Sequence, residues 1–126
     1  MTEKKFEPEI ININDSEFAY LNENGDLFIN GASYIEGMDD YEWFFAVKSE
    51  YFPILYQKLS GISEPPEDIG NELIKFLQEK KKEVSDLTKI CKANDIPHHF
   101  SNYMWERFYE QEIVDITRIT SFNFMY

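Results

Sequence analysis

The densest apolar block of the sequence runs Tyr41-Glu42-Trp43-Phe44-Phe45-Ala46-Val47 and continues from Tyr51 to Leu59. Tyr41, Phe44, Phe45 and Lys48 fall at i, i+3, i+4 and i+7, with only Lys48 polar, and Trp43 and Val47 lie to one side. That spacing predicts a helix with a wide apolar face. Asp39 stands as its N-cap and Glu42 reaches back to the Asp39 amide, the Asp form of a capping box. Asp40 and Glu42 also place negative charge at the positive end of the helix dipole. Pro53 has no amide to offer the carbonyl of Ser49, so the helix restarts there, with Pro53 in the first turn of a short helix to Leu59. Gly61 follows as a left-handed stop.

Upstream, Glu9 to Ile13 alternates weakly and reads as a first strand. Asn14-Asp15-Ser16 is a turn cluster. Glu17 to Asn22 and Leu27 to Gly31 then flank Asn24-Gly25, the strongest short-range hairpin cue, since a type I′ turn needs φ > 0 at both central residues. This turn pairs Tyr20 with Ile29, Leu21 with Phe28 and Asn22 with Leu27. Both faces of the hairpin carry apolar side chains. One face meets the helices; the other is either covered by a further element or available to a partner. Gly31 to Gly37 reads as a short strand ending in a turn.

Downstream, Pro65-Pro66 opens a helix predicted to run from about Pro66 to Ala93. Ile69, Leu73, Phe76, Leu77, Val84, Leu87, Ile90 and Cys91 recur at three- and four-residue spacing. Lys80-Lys81-Lys82 interrupts this stripe, so a bend or an exit from the core falls there. Asn94-Asp95-Ile96-Pro97 is a stop. The aromatics from Phe100 to Tyr109 fit a third helix over 98–112 capped by Ser101, and a strand reading stays open beside it. Ile113 to Tyr126 is rich in β-branched and aromatic residues and reads as one long strand or two short ones. The expected fold class is α+β: an antiparallel sheet of the N-terminal hairpin plus the C-terminal strands, packed against two to four helices. The 126 residues fit a single domain with residues 1–8 as a loose tail.

Charge changes this picture more than composition does. The formal net charge is −12. From Phe6 to Val47 there is no Lys or Arg, while Glu7, Glu9, Asp15, Glu17, Glu23, Asp26, Glu36, Asp39, Asp40 and Glu42 all fall in that span. Such a field repels nucleic acid, whose binding needs Lys and Arg against phosphate. It repels anionic membrane too, and it attracts a basic protein. Net charge of one sign also serves solubility by itself. No apolar run approaches the roughly 20 residues of a membrane span, and no secretory signal is visible. The single cysteine, Cys91, allows no intrachain disulfide, in keeping with a cytoplasmic protein.

The sequence carries no phosphate-binding glycine loop and no Gly-x-Ser-x-Gly elbow. His98 and His99 are adjacent and point apart, so they read as a surface or loop pair and no metal site is expected. Cys91 falls on the apolar stripe and reads as a small buried hydrophobe. Glu36, Asp39, Asp40 and Glu42 crowd one stretch without calcium-loop spacing, so they read as a cap with a solvated rim. No cofactor and no enzymatic activity is expected. Tyr34, Tyr41, Trp43 and Tyr51 lie in or near the acidic stretch, and aromatic anchors inside a charged rim suit a protein-binding patch.

In size and acidic character the chain resembles the immunity proteins with which bacteria neutralise their own or a sibling's toxins, many of them nucleases. The resemblance implies a basic toxin domain as partner, with acidic residues standing in for phosphate in the toxin's cleft. The candidates for that contact are Glu23, Asp26, Glu36, Asp39, Asp40 and Glu42, with Tyr41 or Trp43 as anchor. The alternative reading is a small regulatory or scaffold domain acting through homodimerisation or partner binding.

Overall fold

The computed structural model describes residues 7–33 and 41–104. Five strands form one antiparallel sheet: β1 (Ile11–Asn12), β2 (Glu17–Leu21), β3 (Leu27–Ser33), β4 (Tyr41–Val47) and β5 (His99–Met104). They lie side by side in chain order. A 3-10 turn (Ser49–Tyr51) and helices α1 (Phe52–Ser60), α2 (Ile69–Glu79) and α3 (Val84–Ala93) connect β4 to β5. The fold is α+β, with the helices on one face of the sheet. The segment 113–126, read as the C-terminal strands, lies outside the described residues. Beyond the hairpin, the described strands of the sheet are Ile11–Asn12, Tyr41–Val47 and His99–Met104.

The block expected to be the central helix is therefore β4. Phe45 lies between Ile29 of β3 and Phe100 of β5, and all seven residues of β4 pair with β3. The physical reason is burial on both faces. Phe45 and Val47 enter the helix-side core, while Phe44 and Ala46, pointing the other way, are buried as well. A strand buried on both faces shows no alternation and cannot be told from a buried helix by periodicity. The proposed capping role of Asp39 and Glu42 falls with the helix. Of the 98–112 segment, the part from His99 to Met104 is strand β5 and not a helix capped by Ser101, and 105–112 lie outside the described residues.

The hairpin forms one register away from the expected one. Leu21 pairs with Leu27, Tyr20 with Phe28 and Ala19 with Ile29. Gly25 has φ 82°, and Asn24 is not among the residues with positive φ. The Gly25 amide donates to the Asn22 carbonyl at 2.9 Å, and the Asn22 amide donates to the Asp26 carbonyl at 2.9 Å. This is a three-residue loop with a left-handed Gly at its end, not a two-residue type I′ turn. The Asn22 side chain selects it: Oδ1 accepts from the amides of Asn24 and Asp26 at 3.0 and 2.9 Å. As a result Tyr20 stacks on Phe28, with ring centroids 5.6 Å apart, on the face away from the helices. Ala19, Leu27 and Ile29 face the helices.

The predicted long helix breaks into α2 and α3 at the lysine run. Lys81 takes a left-handed φ of 51°. Its amide donates to the Gln78 carbonyl at 3.3 Å and that of Lys82 to Leu77 at 2.9 Å, a Schellman ending. The break lets Leu73, Ile74 and Leu77 of α2 and Val84, Leu87 and Cys91 of α3 reach one core, with Ala19, Leu27, Ile29, Phe45 and Val47 beneath them. α1 begins where Pro53 required, and Gly61 ends it with φ 78°. α3 ends at Asn94, as expected, with Asp95 at φ 53° and the Ile96 amide donating to Cys91 at 2.8 Å. No helix among the described residues is long and apolar enough to cross a membrane.

Candidate protein-interaction surface

The residues singled out for partner contact separate into two groups. Glu23 and Asp26 belong to the β2–β3 turn, next to the C-terminal end of β4; Glu23 is exposed and Asp26 half-buried. Asp26 Oδ1 accepts from the Ser49 amide at 2.8 Å, so this carboxylate ties the hairpin turn to the start of the helical segment. Tyr41, Glu42 and Trp43 open β4 at its other end. Val47 lies five residue steps along the strand from Glu42, which is about 17 Å at the usual rise. Glu36, Asp39 and Asp40 lie outside the described residues. Among the described candidates, the fold thus brings Glu23 to Asp26 and Glu42 to Trp43, and sets the pairs apart.

Trp43 is committed inside the molecule. Its indole N–H donates to Glu17 Oε2 at 2.6 Å. A Cβ at Gly31, its partner on β3, would overlap the indole ring, so glycine is required there for the ring to lie flat on the strand. Glu17 itself is 5% exposed. Its Oε1 accepts from Asn14 Nδ2 at 2.8 Å and from the Val84 amide at 3.0 Å. Asn14 also donates to the Lys82 carbonyl at 3.0 Å. One buried carboxylate therefore joins β2, β4 and the N-terminus of α3, where the free first-turn amide and the dipole favour negative charge. In the sequence Glu17 reads as part of the acidic span and as the start of the first hairpin strand. Its signal was phase: it stands two and four residues before Ala19 and Leu21, on the helix-facing side of β2.

The hydrogen-bond partners of the histidines correct the surface or loop reading. His98 is 2% exposed, its ring stacked on Phe45 and Nδ1 2.9 Å from the Ile96 carbonyl. His99 lies on the strand with Nε2 3.2 Å from Ser101 Oγ. No group of three or more His, Cys, Asp or Glu side chains suited to a metal is present among the described residues. Cys91 is buried in the core, and that burial pushes its thiol from 9.0 up to about 12.

A cleft of about 280 Å³ opens beside Glu23. Among the described residues, those lining it come from 7–9 and Ile11, from Leu21 to Gly25 of the hairpin, and from Asn71 and Ile74 of α2. Glu7 falls in the stretch read as a tail and Glu9 at the start of the first strand, so the sequence offers neither as part of a cleft. Gly70 lets α2 approach this corner, since a Cβ there would come within 2.9 Å of Leu21 and 3.3 Å of Phe52. No protein-family model matches the chain, and no curated protein and no solved structure matches it.

Proposed function

We propose that the chain is an acidic protein-binding domain that captures and neutralises a basic partner, in the manner of a toxin-immunity protein acting in the cytoplasm. One observation carries the reading. The span without Lys or Arg supplies β1 to β4; among the described residues Lys48 follows β4 directly, and Lys58, Lys75, Lys80, Lys81, Lys82, Lys89 and Lys92 belong to the segment of the helices. A stretch of strands that carries only acidic charges is suited to steering a basic surface toward it. The homodimer alternative drew on apolar side chains on both faces of the hairpin. Phe28 and Ala46, on the face away from the helices, are 1% and 0% exposed within the chain itself, so they do not call for a second copy.

The test is retention of a protein from a lysate of the source cell on the immobilised chain, at low and raised salt, followed by an activity assay. The expected result is one basic protein, released as salt rises, whose activity stops when the chain is added back. Retention of nothing basic, or of a protein whose activity the chain leaves unchanged, overturns the reading. Neutralising Asp39 and Asp40 together should slow association and flatten its salt dependence if the contact includes that stretch.

A further inference from the structure

We infer that Asn24 is a site of self-modification: its side-chain amide is lost through attack by the Gly25 backbone nitrogen, which leaves a carboxylate in the β2–β3 turn. The inference stands independently of the function proposed above. The sequence contains two Asn-Gly pairs, Asn24-Gly25 and Asn30-Gly31. Glycine in second place leaves the attacking nitrogen unshielded, because no Cβ stands beside it. As sequence the two pairs are equivalent, and the fold separates them.

Asn24 is exposed in the hairpin loop, and a Cβ at Gly25 would meet nothing within 4 Å. Among the described residues, the hydrogen bond of Asn24 is made by its backbone amide, to Asn22 Oδ1, and none holds its side chain. Asn30-Gly31 lies instead in β3, between two other strands. Gly31 is buried, aligned with Glu17 of β2 on one side and Trp43 of β4 on the other, and covered by the Trp43 ring. Asn30 Nδ2 donates to the Trp43 carbonyl at 3.1 Å. Ring closure needs the asparagine Cγ to swing over the following nitrogen, and an extended strand holds the two apart. In the turn, that movement releases the Gly25 amide from the Asn22 carbonyl within an exposed loop. In β3 it disrupts the ladders of an internal strand. Opening a loop tip costs far less than opening the middle of a sheet.

The reaction needs only water. The Gly25 nitrogen gives up its proton and bonds to Asn24 Cγ; the Cγ–Nδ2 bond breaks and ammonia leaves with that proton, giving a cyclic imide. Water then opens the ring at either carbonyl. One opening gives an aspartyl residue, and the other an isoaspartyl residue whose main chain is longer by a methylene. Either product adds a negative charge between Glu23 and Asp26. The isoaspartyl form also lengthens the loop that Asn22 closes through the Gly25 and Asp26 amides.

The test incubates the full chain, folded and in urea, at mildly alkaline pH and physiological temperature. Chymotrypsin, which cuts after Leu27 and Phe28, places Asn24 and Asn30 on separate peptides for mass spectrometry. An isoaspartyl methyltransferase labels the isoaspartyl product. In the folded chain position 24 should convert at least about tenfold faster than position 30, and in urea the two rates should converge. Isoelectric focusing should show a band that grows with time, one charge more acidic than the starting chain, and Asn24→Ser should lack it. Equal conversion at the two positions of the folded chain overturns the inference. So does an Asn24 that stays intact while the urea-unfolded chain converts, or an acidic band that grows undiminished in Asn24→Ser.

Discussion

Glu17 gathers its donors from three separate parts of the chain: the Asn14 side chain, the Trp43 indole and the Val84 amide. A leucine in its place would leave the buried Val84 amide and the part-buried Trp43 indole N–H without this acceptor. Each such loss costs about 1–3 kcal/mol, so Glu17→Leu is expected to lower stability by about 3 kcal/mol, read as a shift of the urea midpoint. Glu17→Gln keeps one acceptor oxygen and should cost about 1 kcal/mol. If the leucine variant is as stable as wild type, the carboxylate is not the joint described. Cys91 gives a residue-scale prediction of another kind. A thiol held up at about 12 stays protonated where a free one at 9.0 begins to ionise. Its contribution to stability is therefore complete below about pH 9 and is lost as pH rises toward 12, because only the unfolded chain releases the proton. At pH 8 the folded protein should be inert to a thiol-specific disulfide reagent and should react once urea unfolds it. Rapid reaction of the folded chain would contradict the burial.

At the scale of elements, local signals were readable where the backbone itself was constrained. Pro53 and Gly61 bound α1, and the Asn94-Asp95 stop bounds α3, because each acts through its own φ and its own hydrogen bonds. The lysine run was readable as a weak point but not as a break. What makes it one is Lys81, a non-glycine residue in the left-handed region, which costs roughly 1 kcal/mol. Lys81→Gly should accordingly raise stability by about 1 kcal/mol in thermal denaturation without altering the fold. A loss of stability instead would mean that the Lys81 side chain itself holds the turn. The Asn-Gly hairpin was legible as a hairpin but not in its register. The side chain of Asn22, lying outside the expected two-residue turn, adds two hydrogen bonds that stabilise the longer loop. β4 was misread for the converse reason: the period that separates strand from helix disappears when both faces are covered.

For the whole molecule the governing quantity is a net charge of −12, with an acid-only stretch that supplies β1 to β4. If that stretch meets the basic partner proposed here, the association rate should fall steeply between low and physiological ionic strength, while the dissociation rate changes little. A rate insensitive to salt in stopped-flow mixing would assign the charge to solubility alone. The candidate surface was legible as a stretch of sequence but not as a place. Glu23 and Glu42 share that stretch and end up at opposite ends of the sheet. Glu7 and Glu23 are distant in the chain and flank one cleft. Trp43 had the composition of an anchor, and its indole N–H is taken by Glu17.

By itself, the sequence determined the charge and its asymmetry, the burial of Cys91, the limits of α1, the end of α3 and the presence of a hairpin. Each of these depends on residue type or on contacts within a few positions. Only the tertiary structure decided that Tyr41–Val47 is a central strand, that Glu17 is an internal joint and that Glu7 and Glu9 wall a cleft. Those outcomes depend on what lies across the ladder or above the sheet. A strand gains its second row of hydrogen bonds, and a carboxylate its buried donors, from segments that the chain brings alongside only when it folds.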